Sequence, residues 1–302
     1  MTSPALEIKG LTKRFGSKTV VNDVSFRVEK GEMFGFLGPN GSGKTTTIRM
    51  SLNILKPDAG EIFVLGDSVS SAHLDRVGYL PEERGLLRKE KVISVLRYLG
   101  RLRGMTKMDA VDRGLELLHR VGLFEHREKK VEGLSRGMTQ LVQFIASLMH
   151  EPELIILDEP FSGLDPLNVQ LMKEMLAAER NRGATVIFST HVLSDVEEMC
   201  DNVALIADSR LLLFGDLASI KRSRGANAVL VDAPSHPDSF KEHQIFSGQA
   251  GRVEYRLSDS LTPESILNAY SSEGIVLDRF EQVQPSLNEI FIEEVSNARQ
   301  VR

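Results

Sequence analysis

The spacing of apolar residues along the chain predicts a mixed fold of strands and helices. Short, mostly apolar runs typical of buried parallel strands occur at residues 33–37, 154–157, 185–188 and 203–206. Helical stretches separate the last three runs, which is the βαβ pattern of a parallel sheet. The start of the chain alternates between apolar and polar positions, as half-buried strands do. Between about residues 91 and 150, apolar residues recur at helical spacing instead.

The C-terminal part of the chain has a smaller α+β pattern. A basic segment ending at Gly225 precedes it, so we expect a domain boundary at about residue 224. Beyond the boundary, the pattern predicts strands at 229–231, 253–257 and 275–277 and helices at 263–270 and 287–295. The expected organisation is a domain of residues 1–224, with a helical insert at about 90–150, followed by a small accessory domain of residues 225–302.

Composition narrows the class of protein. The 302 residues are 41% hydrophobic, which is enough apolar material for a buried core. The formal net charge of −5 argues against a protein whose main task is to coat nucleic acid. Cys200 is the single cysteine, which excludes an internal disulfide and a cysteine-only metal site. A reducing, intracellular compartment fits this cysteine usage best.

The sequence predicts neither a membrane span nor a signal peptide. A span needs about 18 consecutive apolar residues, and the most apolar runs here have only strand length. The N-terminal residues lack the basic start and the apolar segment of a secretion signal. We therefore expect any work at a membrane to depend on a partner.

A glycine-rich segment after the first buried run predicts a phosphate-binding loop. Residues 38–45, Gly-Pro-Asn-Gly-Ser-Gly-Lys-Thr, fit the pattern G-x-x-x-x-G-K-[ST] between a predicted strand and a predicted helix. In such a loop, backbone N–H groups surround phosphate oxygens, Lys44 reaches the β- and γ-phosphates, and the Thr45 hydroxyl can bind Mg²⁺. An ordinary strand-to-helix turn is the alternative, which this context disfavours. The residues expected to bind nucleoside triphosphate are Asn40, Gly41, Ser42, Gly43, Lys44, Thr45 and Thr46.

Two adjacent acids follow the run at 154–157. Successive strand residues point to opposite faces, so Asp158 and Glu159 cannot do the same task. We assign Asp158 to a metal ion, which it can hold through water, and Glu159 to the general base that polarises the attacking water. Solvated acids at a strand end are the alternative, and the phosphate loop in the same chain favours the catalytic assignment.

Several short motifs together resemble the ABC-type ATP-binding cassette. Asp158–Pro160 is similar to the Walker B motif of that family, and Ser162–Pro166 to its D-loop. Leu134–Met138 is similar to its signature motif, and Ser189–His191 to its switch-histidine motif. The motifs occur in the family's order, and the resemblance covers about residues 4–220. It implies an α/β fold, a P-loop NTPase cassette with a mainly parallel sheet, an antiparallel β subdomain and a helical insert, followed by the small C-terminal α+β domain.

The resemblance also implies roles for single residues. His191 would contact the γ-phosphate and help to orient the attacking water, although a histidine after a buried strand is commonly structural. Phe15 would stack on adenine; the alternative is an exposed aromatic residue in a turn. Ser135 and Gly137 can form a second anion site, with a hydroxyl and a bare N–H group at a helix N-terminus. A plain serine-capped helix start is the alternative there.

The sequence departs from the family pattern in two places. Glu82 stands where the Q-loop of the family has glutamine, and its carboxylate could bind Mg²⁺ or a water of the metal. In the signature segment, Arg136 and Met138 replace glycine and glutamine. Because Ser135 and Gly137 are kept, we expect closure on ATP to survive these changes.

Two further segments point to a subgroup of the family. Residues 81–86 resemble bacterial exporter ATPases, including those of sodium and drug efflux, and residues 286–292 are similar to the accessory domain of many of them. The resemblance implies the ATP-hydrolysing subunit of an ABC exporter, using ATP and Mg²⁺ on the cytoplasmic face of the cell membrane. Its partners would be a membrane-spanning permease in a separate chain and a second copy of itself, or a paralogous cassette, closing head to tail around two ATP-Mg. The helical insert and the Q-loop would receive the coupling helix of the permease; a structural lid is the alternative for the insert.

A soluble ABC ATPase acting on ribosomes or DNA is the alternative function. Ribosome-acting members usually carry two cassettes in one chain, and this chain has one. DNA-repair members insert a long coiled coil, and no sustained heptads are present. With a net charge of −5, we expect no nucleic-acid partner. A ligand-sensing role for the C-terminal domain stays open.

Overall fold

The computed structural model of the chain describes residues 3–69, 75–83, 85–247, 251–258 and 260–300. Its contacts divide the chain into two units, Met1–Gly215 and Asp216–Arg302. The boundary expected at about residue 224 lies one short helix further along the chain. Among the described residues, no helix has both the length and the apolar character needed to cross a membrane.

The described residues contain both strands and α-helices. The strands are β1 (Leu6–Phe15), β2 (Lys18–Val28), β3 (Met33–Leu37), β4 (Ala59–Val64), β5 (Asp67–Ser68), β6 (Val77–Leu80), β7 (Leu154–Asp158), β8 (Thr185–Thr190), β9 (Asn202–Ala207), β10 (Arg210–Asp216), β11 (Ala228–Asp232), β12 (Gln244–Ser247), β13 (Arg252–Arg256) and β14 (Arg279–Val283). The α-helices are α1 (Lys44–Ser51), α2 (Val92–Leu102), α3 (Lys107–Arg120), α4 (Arg136–Leu148), α5 (Pro166–Asn181), α6 (Leu193–Met199), α7 (Leu217–Ser223), α8 (Pro263–Ser272) and α9 (Leu287–Gln300).

A six-stranded sheet forms the centre of the first unit. Its strands lie in the order β10-β9-β3-β8-β7-β6, and the pairs from β9 to β6 are parallel. Strands β3, β7 and β8 are buried along their whole length, as the apolar runs predict. Because parallel strands end at the same edge, Leu37 pairs with Thr190 and Asp158 with Ser189 there. The predicted parallel core is confirmed.

An antiparallel sheet of order β2-β1-β4-β5 accompanies the parallel sheet. Buried and exposed residues alternate along the second half of β2, as in a strand with one solvated face. The ring of Phe26 in β2 stacks on the ring of Phe34 in β3, with centroids 5.6 Å apart. One apolar cluster therefore joins both sheets to helix α1, and the predicted antiparallel subdomain is confirmed.

Helices α2, α3 and α4 form the predicted helical insert. Helix α2 buries Val92, Val95 and Leu96, which follow the i, i+3, i+4 spacing of one helix face. Helix α3 begins after Thr106, whose side chain accepts a hydrogen bond from the N–H of Asp109. Helix α4 returns the chain to the parallel sheet beside β6. The insert is therefore confirmed as helical.

The second unit has an antiparallel sheet and a core of its own. Its strands lie in the order β12-β13-β11-β14, accompanied by α7, α8 and α9. Tyr255 and Tyr270 are fully buried in its apolar cluster, and their hydroxyls are 2.8 Å apart. This is the small α+β pattern that the sequence predicts.

One strand prediction in this unit is wrong. Residues 275–277 form no strand, because the N–H of Ile275 donates to the Tyr270 carbonyl at the end of α8 and the side chain packs against the apolar cluster. Strand β14 follows instead and pairs with β11 on the side away from β13, with Phe280 opposite Val231. Most side chains of β14 are polar and none is buried, so its apolar signal in the sequence is weak.

Candidate functional site

The phosphate loop connects β3 to α1 at the carboxyl edge of the parallel sheet. Gly43, the last loop residue, has φ 110°, and a Cβ at this position would lie 2.5 Å from the carbonyl oxygen of Val20. Only glycine meets both conditions without strain. The loop therefore lies directly against β2 and leads into the N-terminus of α1.

Lys44 places a buried cation at the start of α1. The residue is 6% exposed, and its Nζ donates to the carbonyl oxygen of Gly38 at 2.6 Å. The same Nζ lies 3.8 Å from Oε1 of Glu159. Burial lowers the pKa of Lys44, while the neighbouring carboxylates, Glu159 foremost, act in the opposite direction. The loop and the acids after β7 therefore meet at this ammonium group.

The other predicted loop residues differ in burial. Asn40 and Gly41 are exposed. Thr45 and Thr46 are half-buried in the first turn of α1. Ser42 is buried, and its Oγ has no hydrogen-bond partner among the described residues. Because a buried hydroxyl without a partner is costly, the loop is suited to a polar ligand.

Asp158 is fully buried at the end of β7. Its Oδ1 accepts a hydrogen bond from the Ser189 hydroxyl at 2.5 Å, across the β7–β8 ladder. Its Oδ2 is buried and has no hydrogen-bond partner among the described residues. An unpaired oxygen on a buried carboxylate calls for a cation or a water bound to one. The residue fits the metal role predicted for it.

Glu159 has an unusual backbone and a well-defined side chain. Its φ is 49°, a left-handed conformation that glutamate seldom adopts. The N–H of Glu159 donates to the carbonyl oxygen and to the hydroxyl of Ser189, both at 3.1 Å. Its Oε2 lies 2.9 Å from Nδ1 of His191, and its Oε1 has no hydrogen-bond partner among the described residues. Glu159 thus stands between His191 and Lys44.

A cleft of about 560 Å³ opens beside the side chains of Glu159 and His191, and we call it the Glu159–His191 cleft. One wall is the segment after Glu159 with helix α5, and the other is the segment from Thr190 to Asp195. The side chain of His191 is 56% exposed, whereas that of Glu159 is 10% exposed. The cleft therefore gives solvent access to a carboxylate that is otherwise enclosed.

The predicted second anion site lies at the start of α4. The Ser135 hydroxyl accepts a hydrogen bond from the N–H of Met138 at 3.2 Å and caps the helix. Ser135 is exposed, and Gly137 lies beside Leu164 of the D-loop segment. The hydrogen bonds of Ser135 to other described residues stay within its own helix, and none of them joins it to the phosphate loop.

Two predicted residues lie nearer the surface. The Phe15 side chain is 51% exposed at the end of β1, and Nζ of Lys13 lies 5.5 Å from its ring centroid. An exposed ring beside a cation can accept a flat base on its free face. Glu82 is exposed, yet its charge acts on Lys44.

Sequence reasoning missed three side chains that shape the site. Ser189 bonds both acids, although the sequence marked it only as part of the switch motif. Gln140 donates to the carbonyl oxygen of Pro160 at 3.0 Å, and Gln143 to that of Glu83 at 3.1 Å. Both glutamines are buried on the apolar side of α4, and this break in the helical pattern was the available signal.

Comparison with known families and relatives agrees with this geometry. Residues 21–162 match the ABC transporter family, and residues 215–295 match the C-terminal domain of DrrA1-3-like ATP-binding proteins. The ABC transporter ATP-binding protein YhaQ of Bacillus subtilis (strain 168) is 39% identical over 293 residues, 96% of this chain and 98% of that protein.

Two relatives have more specific names. The bacitracin transport ATP-binding protein BcrA of Bacillus licheniformis is 38% identical over 70% of this chain and 69% of its own length. The Nod factor export ATP-binding protein I of Burkholderia lata is 35% identical over 81% of this chain and 84% of its own length.

A solved ATP-binding subunit of an ABC transporter superposes with a TM-score of 0.69 at 31% identity, covering 73% of this chain and 93% of that structure. Fold, motif order and near full-length similarity agree. The chain belongs to the ABC transporter ATP-binding proteins and is an ATPase of that family.

Proposed function

We propose that this protein powers a bacterial exporter by hydrolysing ATP, with Glu159 as the general base. The observation that carries the proposal is the position of the Glu159 carboxylate, 2.9 Å from His191 and 3.8 Å from the phosphate-loop ammonium of Lys44. A general base must lie within hydrogen-bond reach of the proton that it takes, and the cleft beside Glu159 admits water to it.

The nucleotide would lie along the phosphate loop. Backbone N–H groups at the start of α1, the Ser42 hydroxyl and Lys44 would bind its phosphates, and Phe15 would stack on adenine. Lys44 would exchange its contact with the Gly38 carbonyl for the β- and γ-phosphates, where its charge is better compensated.

Thr45, Asp158 and Glu82 are the residues that would hold Mg²⁺. No group of three or more histidine, cysteine, aspartate or glutamate side chains that could hold a metal ion is found among the described residues. This suits Mg²⁺, which takes one or two carboxylates and completes its ligands with water and substrate phosphates. When bound, the ion would neutralise charge on the phosphates. The unpaired Oδ2 of Asp158 supports the assignment most directly.

Hydrolysis would use the two side chains that meet at the cleft. Glu159 would accept a proton from the attacking water, and its hydrogen bond to Nδ1 of His191 would hold both groups in place. With one nitrogen of His191 engaged in this way, the other is available to the γ-phosphate. Lys44 would stabilise the charge that develops on the transferred group.

A second copy of the chain, or a paralogous cassette, would complete the site. Ser135 and Gly137 offer a hydroxyl and a helix N-terminus at a place separate from the phosphate loop. In a head-to-tail dimer, each signature segment would close on the ATP held by the other copy. Gly137 lies beside Leu164, so the D-loop and the signature segment would enter that interface together.

ATP hydrolysis would drive transport by a membrane-spanning permease in a separate chain, to which this protein would bind on the cytoplasmic face of the membrane. Export is the direction named for the Nod factor relative, and transport is named for the bacitracin relative. The helical insert and the segment at Glu82 would receive the permease, since Gln143 of α4 holds that segment through Glu83. Residues 225–302 would form an accessory domain.

Replacing Glu159 with glutamine tests the base. Glu159→Gln removes the proton acceptor but keeps the shape, so ATP hydrolysis should fall by about 10²–10⁴-fold while ATP binding stays unchanged. Glu153→Gln is the matched control, because Glu153 precedes β7 and its side chain accepts hydrogen bonds from Arg76 near the surface. Turnover of Glu159→Gln near that of the control would overturn the assignment.

The partner is tested by purifying the tagged protein from detergent-solubilised native membranes and identifying what accompanies it. A polytopic membrane protein in stoichiometric amount supports the exporter proposal. Ribosomal or DNA-bound material without a membrane protein would favour the soluble class of ABC ATPases instead.

A further inference from the structure

A buried ion pair joins the two walls of the Glu159–His191 cleft. Nζ of Lys173 on helix α5 lies 2.8 Å from Oδ1 of Asp195 on helix α6. The two side chains are 11% and 12% exposed. Lys173 also contacts Glu198 at 2.5 Å, one turn further along α6. None of the sequence motifs includes Lys173, yet it lines the cleft together with Glu159 and His191.

The same ammonium group also supports the segment that follows Glu159. Nζ of Lys173 lies 5.9 Å from the ring centroid of Phe161. That ring packs edge-on against Phe188 of β8, with centroids 5.8 Å apart. Lys173 thus contacts the loop after β7, the helix after β8 and, through one ring, the sheet between them.

The position of the Lys173–Asp195 pair indicates that it fixes the two walls of the cleft relative to each other. Taking two charges out of water is expensive, and an apolar pair of similar size would give equal or greater stability. Here the charges bridge helices α5 and α6, which follow the two strands that end just before Glu159 and His191. The two walls of the cleft are therefore bonded at two points, Glu159 to His191 and Lys173 to Asp195.

We propose that Lys173 is a positioning residue for hydrolysis: through Asp195 and Phe161 it holds segment 160–165 in register with segment 190–195. This keeps Glu159 and His191 in contact as the site closes, and presents the D-loop segment to the second copy. The inference rests on the proposed roles of Glu159 and His191. Lys173 itself would not contact the nucleotide, which would bind at the phosphate loop.

The test compares the loss of two ion pairs whose cations, Lys173 and Arg180, both lie on helix α5. Lys173→Met removes the pair in the cleft. Arg180→Met is the matched control, because Arg180 also lies on α5 and pairs with Asp201 just after α6, at 2.9 Å, but lies outside the cleft. We expect Lys173→Met in the full chain to lower kcat by about 10- to 100-fold. The KM for ATP should stay within about twofold, because the phosphate loop is untouched.

Rescue separates positioning from a general loss of structure. Lys173→Arg keeps the cation and should recover most of the kcat. Lys173→Met with Asp195→Asn leaves no unpaired buried charge, so it should fold as the control does and still have a low kcat.

Three results would overturn the inference: equal kcat in Lys173→Met and Arg180→Met, kcat and KM changing together, or full activity in the double variant. The proposed function fails separately, when Glu159→Gln hydrolyses ATP at the wild-type rate. If that variant is slow and Lys173→Met is normal, only the positioning role is lost.

Discussion

At the scale of single residues, the backbone of Glu159 is the most informative feature of the site. A left-handed residue other than glycine costs roughly 1 kcal/mol. The cost is offset locally, because the N–H of Glu159 bonds both oxygens of Ser189. The same Ser189 hydroxyl donates to Asp158. One side chain on the neighbouring strand thus orients both acids after β7.

Ser189→Ala should therefore impair both stability and hydrolysis. The change leaves Oδ1 of the buried Asp158 without its donor, which should lower the free energy of unfolding by about 1–3 kcal/mol. It also removes one of the two acceptors of the Glu159 N–H, since only the backbone carbonyl of residue 189 is left, so kcat should fall while ATP affinity changes little. Urea unfolding and steady-state ATPase assays measure the two effects.

Ser189→Thr is the control for that prediction, since it keeps the hydroxyl on a residue suited to a strand. It should retain most of the stability and of the activity. If Ser189→Ala matched wild type in both measurements, the hydroxyl would have no role in orienting the acids.

The partly buried His150 should make the free energy of unfolding depend on pH. Burial, with help from Arg103, lowers its pKa to about 4, well below the 6.5 of a free histidine. The unfolded chain then binds the proton more readily, so stability is full above the unfolded pKa and falls as pH drops from 6.5 towards 4. Between about pH 7 and about pH 5 the loss from this group should be about 2 kcal/mol.

His150→Gln removes that titration and should flatten the pH dependence by the same amount. Urea unfolding at the two pH values measures it, and His119→Gln, at an exposed position on α3, is the control. If the wild type and His150→Gln lost stability in parallel, His150 would not be the group responsible.

At the scale of elements, the contact between strand β6 and helix α4 is unusually close. A Cβ on Gly78 of β6 would lie 2.2 Å from the carbonyl oxygen of Ser147 in α4 and 2.9 Å from Pro152. Both neighbours belong to buried backbone or a rigid ring, which cannot move aside easily. This approach sets where α4, with its signature N-terminus, lies against the sheet.

Gly78→Ala should push the strand and the helix apart and lower the free energy of unfolding by about 1–3 kcal/mol. Gly85→Ala is the matched control, because a Cβ there meets nothing within 4 Å and its φ is not positive. Chemical unfolding followed by circular dichroism compares the two. Equal stability would show that α4 can shift without cost.

The sequence predicts most elements of this fold and the motifs that form the site, but not the contacts between elements. The apolar runs at β3, β7 and β8 and the loop at Lys44 follow from local pattern alone. The pairing of Asp158 with Ser189 depends on strand register, and that of Lys173 with Asp195 on helix packing. Both pairings depend on the tertiary structure, and the sequence around each residue does not indicate them. The strand β14 was missed because its polar residues hide its period.

At the scale of the whole molecule, the chain has two sites suited to phosphate, the phosphate loop and the N-terminus of α4. The phosphate loop and the signature helix lie in one unit but do not bond each other. We therefore predict that Glu159→Gln, which binds ATP without turning it over, accumulates as a dimer at saturating ATP. Light scattering should give twice the mass of one chain with ATP and the single mass with ADP.

Glu153→Gln, which still hydrolyses ATP, is the control and should show little dimer at steady state. A strictly monomeric Glu159→Gln at saturating ATP would contradict the head-to-tail arrangement. The ATPase assignment would stand in that case, because it depends on the phosphate loop and Glu159.

Along the chain, the division between the two units falls at Asp216. Asp216 is the last residue of β10 and also the N-cap of α7, where its side chain accepts the N–H of Ser219 at 2.7 Å. Each unit has its own apolar cluster. Relatives could therefore exchange C-terminal units by recombination, and a working chimaera is best joined at Gly215, with the incoming unit supplying its own Asp216. A crossover at residue 224 would instead separate the resident α7 and Arg224 from an incoming α9, which would have to supply the partners that Glu293 and Glu294 give Arg224 in this chain.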